Sequence, residues 1–388
     1  MATTNSNDIA IIGVGLYPFG RHHDVSAIQM GVVAANKAMD DAGLGWRDIQ
    51  VGYVGSLSVM MPETMTKFLG YTGVPISKMF NGCATGGNLL LNTANAIRAG
   101  RADIGICIGL DKHPKGAFSA GESMDSTGLP QWYGEVGLTV NPQFFAMKIQ
   151  RYMHEYGISP ATLTRTAVKA FQNGELNPAA WRRSALSADE IDSSQMVCDP
   201  LRKYHFCSPS DGAAAAIVCR ADIAHRFSGT PIFLRAGEFV TRQYGSIDVQ
   251  ATSFSARATI GASEAAARAA FESAGIGPED IDIVQCQDTE VGHEIMHLAE
   301  IGLCKHGEQE ALIADGATSL SGRLPTNTDG GLLANGEPIG ASGLRQVHEI
   351  VRQLRGVAGP HQVQRELKTG LTHVYGFPGS SCVTILSK

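Results

Sequence analysis

Unbroken apolar runs alternate along the chain with segments whose apolar residues recur at helical spacing. Ile9-Ala-Ile-Ile-Gly-Val14, Ala102-Asp-Ile-Gly-Ile-Cys-Ile-Gly-Leu110 and Ala213-Ala-Ala-Ala-Ile-Val-Cys219 read as strands of the kind buried on both faces of a sheet. A β-prone run ends at Met79-Phe80, and Cys382 to Leu386 predicts the last strand. Between these lie helical patterns. Ser26 to Ala42 carries Ser26 as an N-cap and Gly43 as its stop, and Asn88 to Arg98 places leucines and alanines on one face. Strands alternating with helices of this length predict an α/β protein. Residues 112–203 are more polar, punctuated by Pro130, Trp132, Pro142, Pro160 and Trp181, and read as a helical excursion from the sheet, while 220–262 read as a link.

The second half repeats the first. Ala34 to Ile49 (AANKAMDDAGLGWRDI) aligns without a gap on Ala266 to Ile281 (AARAAFESAGIGPEDI), identical at eight of sixteen positions and 232 residues apart. Each copy is a helix, a glycine stop, a short turn and then a strand, Val51 to Val54 or Ile283 to Cys286. Register kept through a helix stop and into a strand points to an internal duplication.

Bulk composition removes several classes. A chain of 388 residues with 44% hydrophobic and 18% charged residues is ordinary for a soluble protein, and a net charge of −6 without a Lys/Arg cluster argues against nucleic-acid binding. The eight cysteines stand singly at 83, 107, 198, 207, 219, 286, 304 and 382, with no C-x-x-C pair, which reads as reduced thiols in a cytoplasmic compartment. The polar stretch Met1 to Asp8 does not read as a signal peptide, and no apolar run approaches the ~20 residues of a membrane span. The Gly13-Val-Gly15 pair lacks the third glycine and helix of a dinucleotide fingerprint, so nicotinamide binding is not expected.

The chemistry concentrates at Asn81-Gly-Cys-Ala-Thr-Gly-Gly87, between a strand and a helix. A thiol there faces unpaired backbone N–H groups and the positive end of a helix dipole, which favour thiolate. Cys83 is also the size and type of residue that packs beneath a core helix, so both readings stand on local sequence alone.

Together with Ser210-Asp-Gly-Ala-Ala-Ala215 and Gly330-Gly-Leu-Leu-Ala-Asn-Gly-Glu-Pro-Ile-Gly-Ala-Ser-Gly343, this stretch resembles the thiolase superfamily, in particular the sterol-carrier-protein-type and lipid-transfer-protein-like branches. The resemblance implies a thiolase fold: two duplicated five-stranded βαβαβαββ halves packed face to face in five αβαβα layers. By it, 1–111 with 204–228 form the N-terminal half, 112–203 an inserted loop domain and 229–388 the C-terminal half. It makes Cys83 the nucleophile toward a 3-oxoacyl-CoA, with the backbone N–H groups of Cys83 and Gly376 as oxyanion donors. It further implies coenzyme A as co-substrate, no bound cofactor or metal, a homodimer, and in several relatives a small partner subunit with a zinc ribbon and an OB-fold.

Several positions depart from the family pattern. Glu337 replaces the histidine of the Gly-His-Pro motif; a carboxylate can accept the thiol proton, but it repels a thiolate. Gln287 replaces the histidine or asparagine that helps place the oxyanion water, and its amide could still do so. Thr289 and Val374 occupy the two alternative positions of the acid/base cysteine, and neither shuttles a proton at neutral pH. The altered set implies thiolysis of a branched or aromatic 3-oxoacyl-CoA such as a benzoylsuccinyl-CoA-like substrate. A retro-aldolase on a 3-hydroxyacyl-CoA, with Glu337 as base, is the alternative; a C-acyltransferase and a non-catalytic lipid carrier are the further readings.

Other signals carry less. His293-Glu-Ile-Met-His297 matches HExxH, but it falls where the family has no metal, and no third ligand stands out. His293, near a helix start, is a candidate for the missing acid. His373 and Cys382 flank the Gly376 loop, and Lys112 and Lys115 lie after a strand's C-terminal end, where a CoA phosphate could meet them.

Overall fold

The computed structural model describes residues 8–114, 140–227, 229–243, 260–376 and 379–388. In chain order the principal elements are β1 (Ile9–Gly20), α1 (Ala27–Ala42), β2 (Val51–Gly55), β3 (Ile76–Met79), α2 (Thr85–Arg98), β4 (Ile104–Asp111), α3 (Asn141–Tyr156), α4 (Pro160–Leu176) and the small pair β5 (Met196–Cys198) and β6 (Leu201–Arg202). They continue with β7 (Asp211–Arg220), β8 (Ile232–Val240), α5 (Ala262–Ala274), β9 (Ile283–Cys286), α6 (Val291–Glu300), α7 (Ser342–Arg355), β10 (Thr369–Gly376) and β11 (Ser380–Ser387).

The duplication survives in backbone detail. Helix α1 is capped by Ser26, which accepts from the Gln29 N–H, and closes at Gly43 (φ 69°, ψ 37°); α5 closes at Gly275 (φ 67°, ψ 32°). A left-handed closing residue favours glycine, which explains the repeated stop. Each helix is followed by one short 3₁₀ turn, Trp46–Asp48 or Pro278–Asp280, and a strand. The glycines of Gly13 and Gly15 also find a structural use: a Cβ at either would collide with the carbonyl of Ala38 or Ala34. They let the alanine face of α1 lie directly on β1.

Strand order is β3-β2-β4-β7-β1-β8-β11-β10-β9. Counted outward from the centre, each half follows the same path, and the position of β3 is taken in the second half by a single parallel bridge, Val284 to Thr326. One hydrogen-bonded sheet thus runs through both halves. The second half has four full strands among the described residues, and the halves join edge to edge where Ile9, Ala10 and Ile11 pair with Leu234, Phe233 and Ile232. The link read over 220–262 in fact contains β8, whose apolar run is broken by Arg235, Gly237 and Glu238 because it sits at this seam between β1 and β11.

Three cores stack the layers. The innermost draws Leu89, Leu90 and Ile97 from α2 and Leu344, Val347, Ile350 and Leu354 from α7, packed against strands of both halves. A second core lies beneath α1 and a third beneath α5. This is the layered α/β architecture of the thiolase fold. Helices α3 and α4 stay outside the sheet and share a fourth core with α6. Among the described residues no helix is long and apolar enough to cross a membrane.

Candidate active site

The N-termini of α2 and α7 meet at glycines, which sets the whole site. A Cβ on Gly86 would stand 2.5 Å from the Leu344 nitrogen, and one on Gly343 would stand 2.8 Å from the Gly87 nitrogen. The residue just before α2 and the loop just before α7 are thereby brought together. Cys83 occupies the first position, ahead of Ala84 at the helix cap. Its turn is fixed by Thr85 Oγ1, which accepts the Asn81 N–H at 2.8 Å and donates to the Gly82 carbonyl, and by Asn88 Nδ2, which donates to Asn81 Oδ1 at 2.7 Å.

The loop before α7 is clamped from several sides. Gly340 N–H donates to Asp111 Oδ2 at 2.7 Å and Ile339 N–H donates to His113 Nε2 at 3.2 Å. Glu337 N–H donates to the Ser208 carbonyl at 2.9 Å. Glu337 is thus carried to Cys83 with its side chain fully buried. Its Oε1 accepts Gln287 Nε2 at 2.9 Å, its Oε2 faces the Cys207 thiol at 3.6 Å, and the Cys83 thiol lies close enough to feel the charge of the same carboxylate. The second N–H of the Gln287 amide goes to Thr289 Oγ1 at 2.8 Å, while its Oε1 has no partner among the described residues.

Burial first, and then the Glu337 charge and its hydrogen bond, push the Cys83 thiol well above its ordinary range. The helix terminus predicts the opposite direction. Its contribution, on the order of 0.3–1 kcal/mol for an exposed charge, is outweighed by desolvation beside an adjacent carboxylate. Cys83 therefore rests as a thiol beside the Glu337 carboxylate. Burial and Glu337 push Cys207 up as well, but the guanidinium of Arg182, fixed by the Leu333 carbonyl at 2.9 Å and by Ser208 Oγ, acts in the opposite sense.

Cys207 is the group that the sequence reading passed over. It comes from the segment leading into β7, and its backbone N–H donates to the Thr289 carbonyl at 3.0 Å. A cysteine immediately before Ser208-Pro-Ser-Asp-Gly212 was the available signal, since that run leads into the sheet beside the site.

The remaining candidates divide. Gly376, at the end of β10, packs on the nucleophile turn; a Cβ there would stand 2.5 Å from the Asn81 carbonyl and 2.7 Å from the Ala84 nitrogen. Val374 is buried in the central core. The Gln287 amide spends its hydrogens on Thr289 and Glu337. His293 falls in a neighbouring cluster with Phe145, His297 and Tyr375 rather than against Glu337. Within HExxH, Glu294 turns away to Lys169 and Asn327, so the three residues do not converge. His373 joins the His293 cluster, with Nε2 2.9 Å from Ser263 Oγ, and Cys382 is a core residue against Gly87. Lys112 is not open to a phosphate: its ammonium donates to the carbonyls of His22, His23 and Val25 at 2.6, 3.1 and 2.8 Å. Lys115 lies outside the described residues.

Comparison with known proteins gives a consistent picture. Residues 9–222 match the thiolase N-terminal domain and residues 246–388 the thiolase C-terminal domain-like family. The chain is 34% identical to an acetyl-CoA acetyltransferase of Methanothermobacter thermautotrophicus, covering 98% of this chain and 100% of that one. It is 30% identical to the benzoylsuccinyl-CoA thiolase subunit BbsB of Thauera aromatica over 95% of this chain and 94% of the relative. Among solved structures, the Ltp2-ChsH2(DUF35) aldolase superposes with a TM-score of 0.86 at 25% identity, over 98% of each chain.

Proposed function

This chain belongs to the thiolase family, and on that premise we propose that it cleaves or forms the C2–C3 bond of an acyl-CoA through an acyl-enzyme on Cys83. The observation that carries the reading is the buried Glu337 carboxylate, 3.6 Å from the Cys207 thiol and close enough to Cys83 to shift its thiol. In thiolysis, Cys83 attacks the 3-oxo carbon as its proton passes to Glu337. The C2–C3 bond then breaks, and the enolate of the departing CoA ester takes its proton from Cys207. Incoming coenzyme A gives its thiol proton to the Cys207 thiolate, attacks the acyl-enzyme, and Cys83 leaves with the proton held by Glu337. Arg182 supports the transient charge on Cys207. The N–H groups of Cys83 and Gly376 bind the oxyanion. Branched or aromatic 3-oxoacyl groups are the substrate class, by likeness to the benzoylsuccinyl-CoA relative.

A second reading draws on the same carboxylate. Cys83 rests as a thiol and Glu337 is placed as a base, the arrangement that a retro-aldol cleavage uses. There, Glu337 takes the 3-hydroxyl proton, the C2–C3 bond breaks, and Cys207 protonates the enolate without a covalent intermediate. The aldolase neighbour supports it. Intact-protein mass spectrometry with linear, branched and aromatic 3-oxoacyl-CoAs separates the two. An acyl adduct on wild type and none on Cys83→Ala is the expected result; cleavage of a 3-hydroxyacyl-CoA that survives Cys83→Ala, with no adduct, would establish the aldolase instead.

We further assign the chain to a homodimer, possessing an accessory subunit like the DUF35 component named with the aldolase neighbour. Strand β3 forms one end of the sheet, and Met60, Met61, Phe68 and Tyr71 nearby are exposed, an arrangement that suits burial against a second copy. Light scattering of the purified chain, alone and with co-purified subunit, measures both. The reduced state of all eight cysteines agrees with a cytoplasmic location.

A further inference from the structure

The chain leaving β4 makes a second use of the loop that carries Glu337. Lys112 turns away to the carbonyls of His22, His23 and Val25, whereas the residues on either side of it, Asp111 and His113, turn inward and are buried. They hold consecutive backbone N–H groups of that loop. Asp111 Oδ2 accepts from Gly340 at 2.7 Å, and His113 Nε2 accepts from Ile339 at 3.2 Å. Ile339 is two residues from Glu337 along the chain.

The two contacts are built differently. Asp111 is a brace whose Oδ1 also accepts the hydroxyls of Ser56 and Ser58 at 2.8 and 2.9 Å and the N–H groups of Leu57 and Ser58 at 3.0 Å each, so the end of β2 is tied to the loop. His113 has its backbone fixed from elsewhere. Its N–H donates to Asp211 Oδ1 at 3.1 Å and its carbonyl accepts the Arg21 guanidinium, so it is held by the opening of β7 and by the residue after β1. Asp211 is itself held by the His22 N–H at 2.9 Å. A ring mounted on so fixed a backbone sets the position of whatever it binds.

An imidazole nitrogen accepts only where it carries no proton, so the Ile339 contact requires a neutral ring with its hydrogen on Nδ1. Burial supplies that state. It lowers His113 below its ordinary 6.5, and Arg21 acts in the same direction, while Asp111, Glu337 and Asp211 act in the opposite one. A protonated ring would turn Nε2 into a donor. Ile339 N–H would lose its acceptor, and the new N–H would face Asp111 Oδ2, 3.9 Å away, which already holds Gly340.

We propose that His113 is a positioning residue for Glu337: its ring nitrogen anchors Ile339 and thereby keeps the carboxylate beside Cys83 and Cys207. This rests on the reading of Glu337 as the base of the acyl-CoA reaction and adds the group that aims it. A desolvated N–H without an acceptor is costly, so without His113 the loop resettles around Ile339 rather than keeping its shape. A displacement of about 1 Å in a reacting group can cost about 100-fold in rate.

The test uses the full-length chain. His113→Leu and, independently, His113→Phe remove the acceptor, so that a failure of either to fold leaves the other decisive; His113→Gln keeps an acceptor at the same reach. The first readout needs no substrate: the rate of Cys83 alkylation by iodoacetamide at pH 8, followed by peptide mass analysis. Because the Glu337 charge helps to raise the Cys83 thiol, moving that charge away lowers the thiol and speeds alkylation, by about threefold for each unit of pKa. His113→Leu and His113→Phe should therefore alkylate about threefold faster than wild type or more, and His113→Gln close to wild type. Neither leucine nor phenylalanine should add to the increase once Glu337→Gln is present. The second readout is cleavage of the 3-oxoacyl-CoA that wild type turns over best. There kcat should fall by about 10–100-fold in the leucine and phenylalanine variants with KM within about twofold of wild type, and His113→Gln should recover most of the loss. Wild-type alkylation rates in both acceptor-free variants, or an increase that persists undiminished beside Glu337→Gln, overturn the positioning role and leave the acyl-CoA reading in place. The expected alkylation pattern without cleavage of any acyl-CoA by wild type removes that reading and leaves His113 as the anchor of Glu337.

Discussion

The Cys207 sulfur stands 3.6 Å from Glu337 Oε2, on a carboxylate whose charge also acts on Cys83. A second thiol therefore reaches the site from the loop before β7, although both positions where the family places one hold Thr289 and Val374. If Cys207 protonates the enolate, Cys207→Ala should slow C–C cleavage by about 10²–10⁴-fold. Acylation of Cys83 by a simple thioester donor should continue at a rate close to wild type. The pH–rate profile of cleavage should lose its alkaline limb, a readout that a merely structural defect would not move.

Glu337→Gln removes a negative charge beside Cys83 and keeps the shape of the side chain. Because that charge helps to raise the thiol, the midpoint of Cys83 alkylation against pH should fall toward the ordinary thiol value. Cleavage should nevertheless drop by about 10²–10⁴-fold, since the base is gone. Iodoacetamide labelling followed by peptide mass analysis measures the first quantity, and a coupled CoA assay the second. A more reactive thiol in a less active enzyme is the expected combination.

Glu290 makes stability depend on pH. Its folded-state value of about 8 lies above its ordinary value of 4.5, because burial outweighs the Gly292 and His293 N–H groups and Lys148. Between those two values the folded chain holds a proton that the unfolded chain has lost. Stability contributed by the neutral acid is therefore present at low pH and is lost as pH rises from about 4.5 through 8, by up to about 1.4 kcal/mol per unit. Glu290→Gln should flatten that slope, raising the melting temperature relative to wild type more at pH 8.5 than at pH 5.5.

Gly376→Ala should act on rate more than on folding. Its methyl group would press on the Asn81 carbonyl and the Ala84 nitrogen, displacing the turn that holds Cys83. Overpacking of this kind costs roughly 1–3 kcal/mol in stability. The fall in kcat should exceed what the shift in melting temperature accounts for, as compared by thermal unfolding and steady-state rates on the same preparation.

Most of the fold was readable because it rests on local signals that repeat. Ser26, Gly43 and Gly275 announce the helices, and the apolar runs announce β1, β4 and β7. Strand β8 escaped, since charged and glycine positions at the seam break its pattern. In the site, Cys83 and Glu337 were legible by position, the one as a cysteine ahead of a helix and the other as a misfit in a known motif. The state of Cys83 was not, because desolvation by residues hundreds of positions away sets it. Nor was Cys207, whose role depends on a loop crossing over Thr289. Helix α6 shows the same limit: all ten of its residues are buried, so HExxH there describes an interior helix with its glutamate paired to Lys169.

The innermost apolar layer takes side chains from α2 and α7 together, and the three residue pairs between β1 and β8 lock the two half-sheets along their edges. Neither repeat therefore owns the core it folds upon. A fragment ending near residue 228 would present the inner face of α2 to water, with Leu89, Leu90 and Ile97 uncovered, and would lose the loop that brings Glu337 to Cys83. Each half thus serves the other as a subunit serves its partner in a dimer, covering an apolar face that neither could leave open, within a single chain.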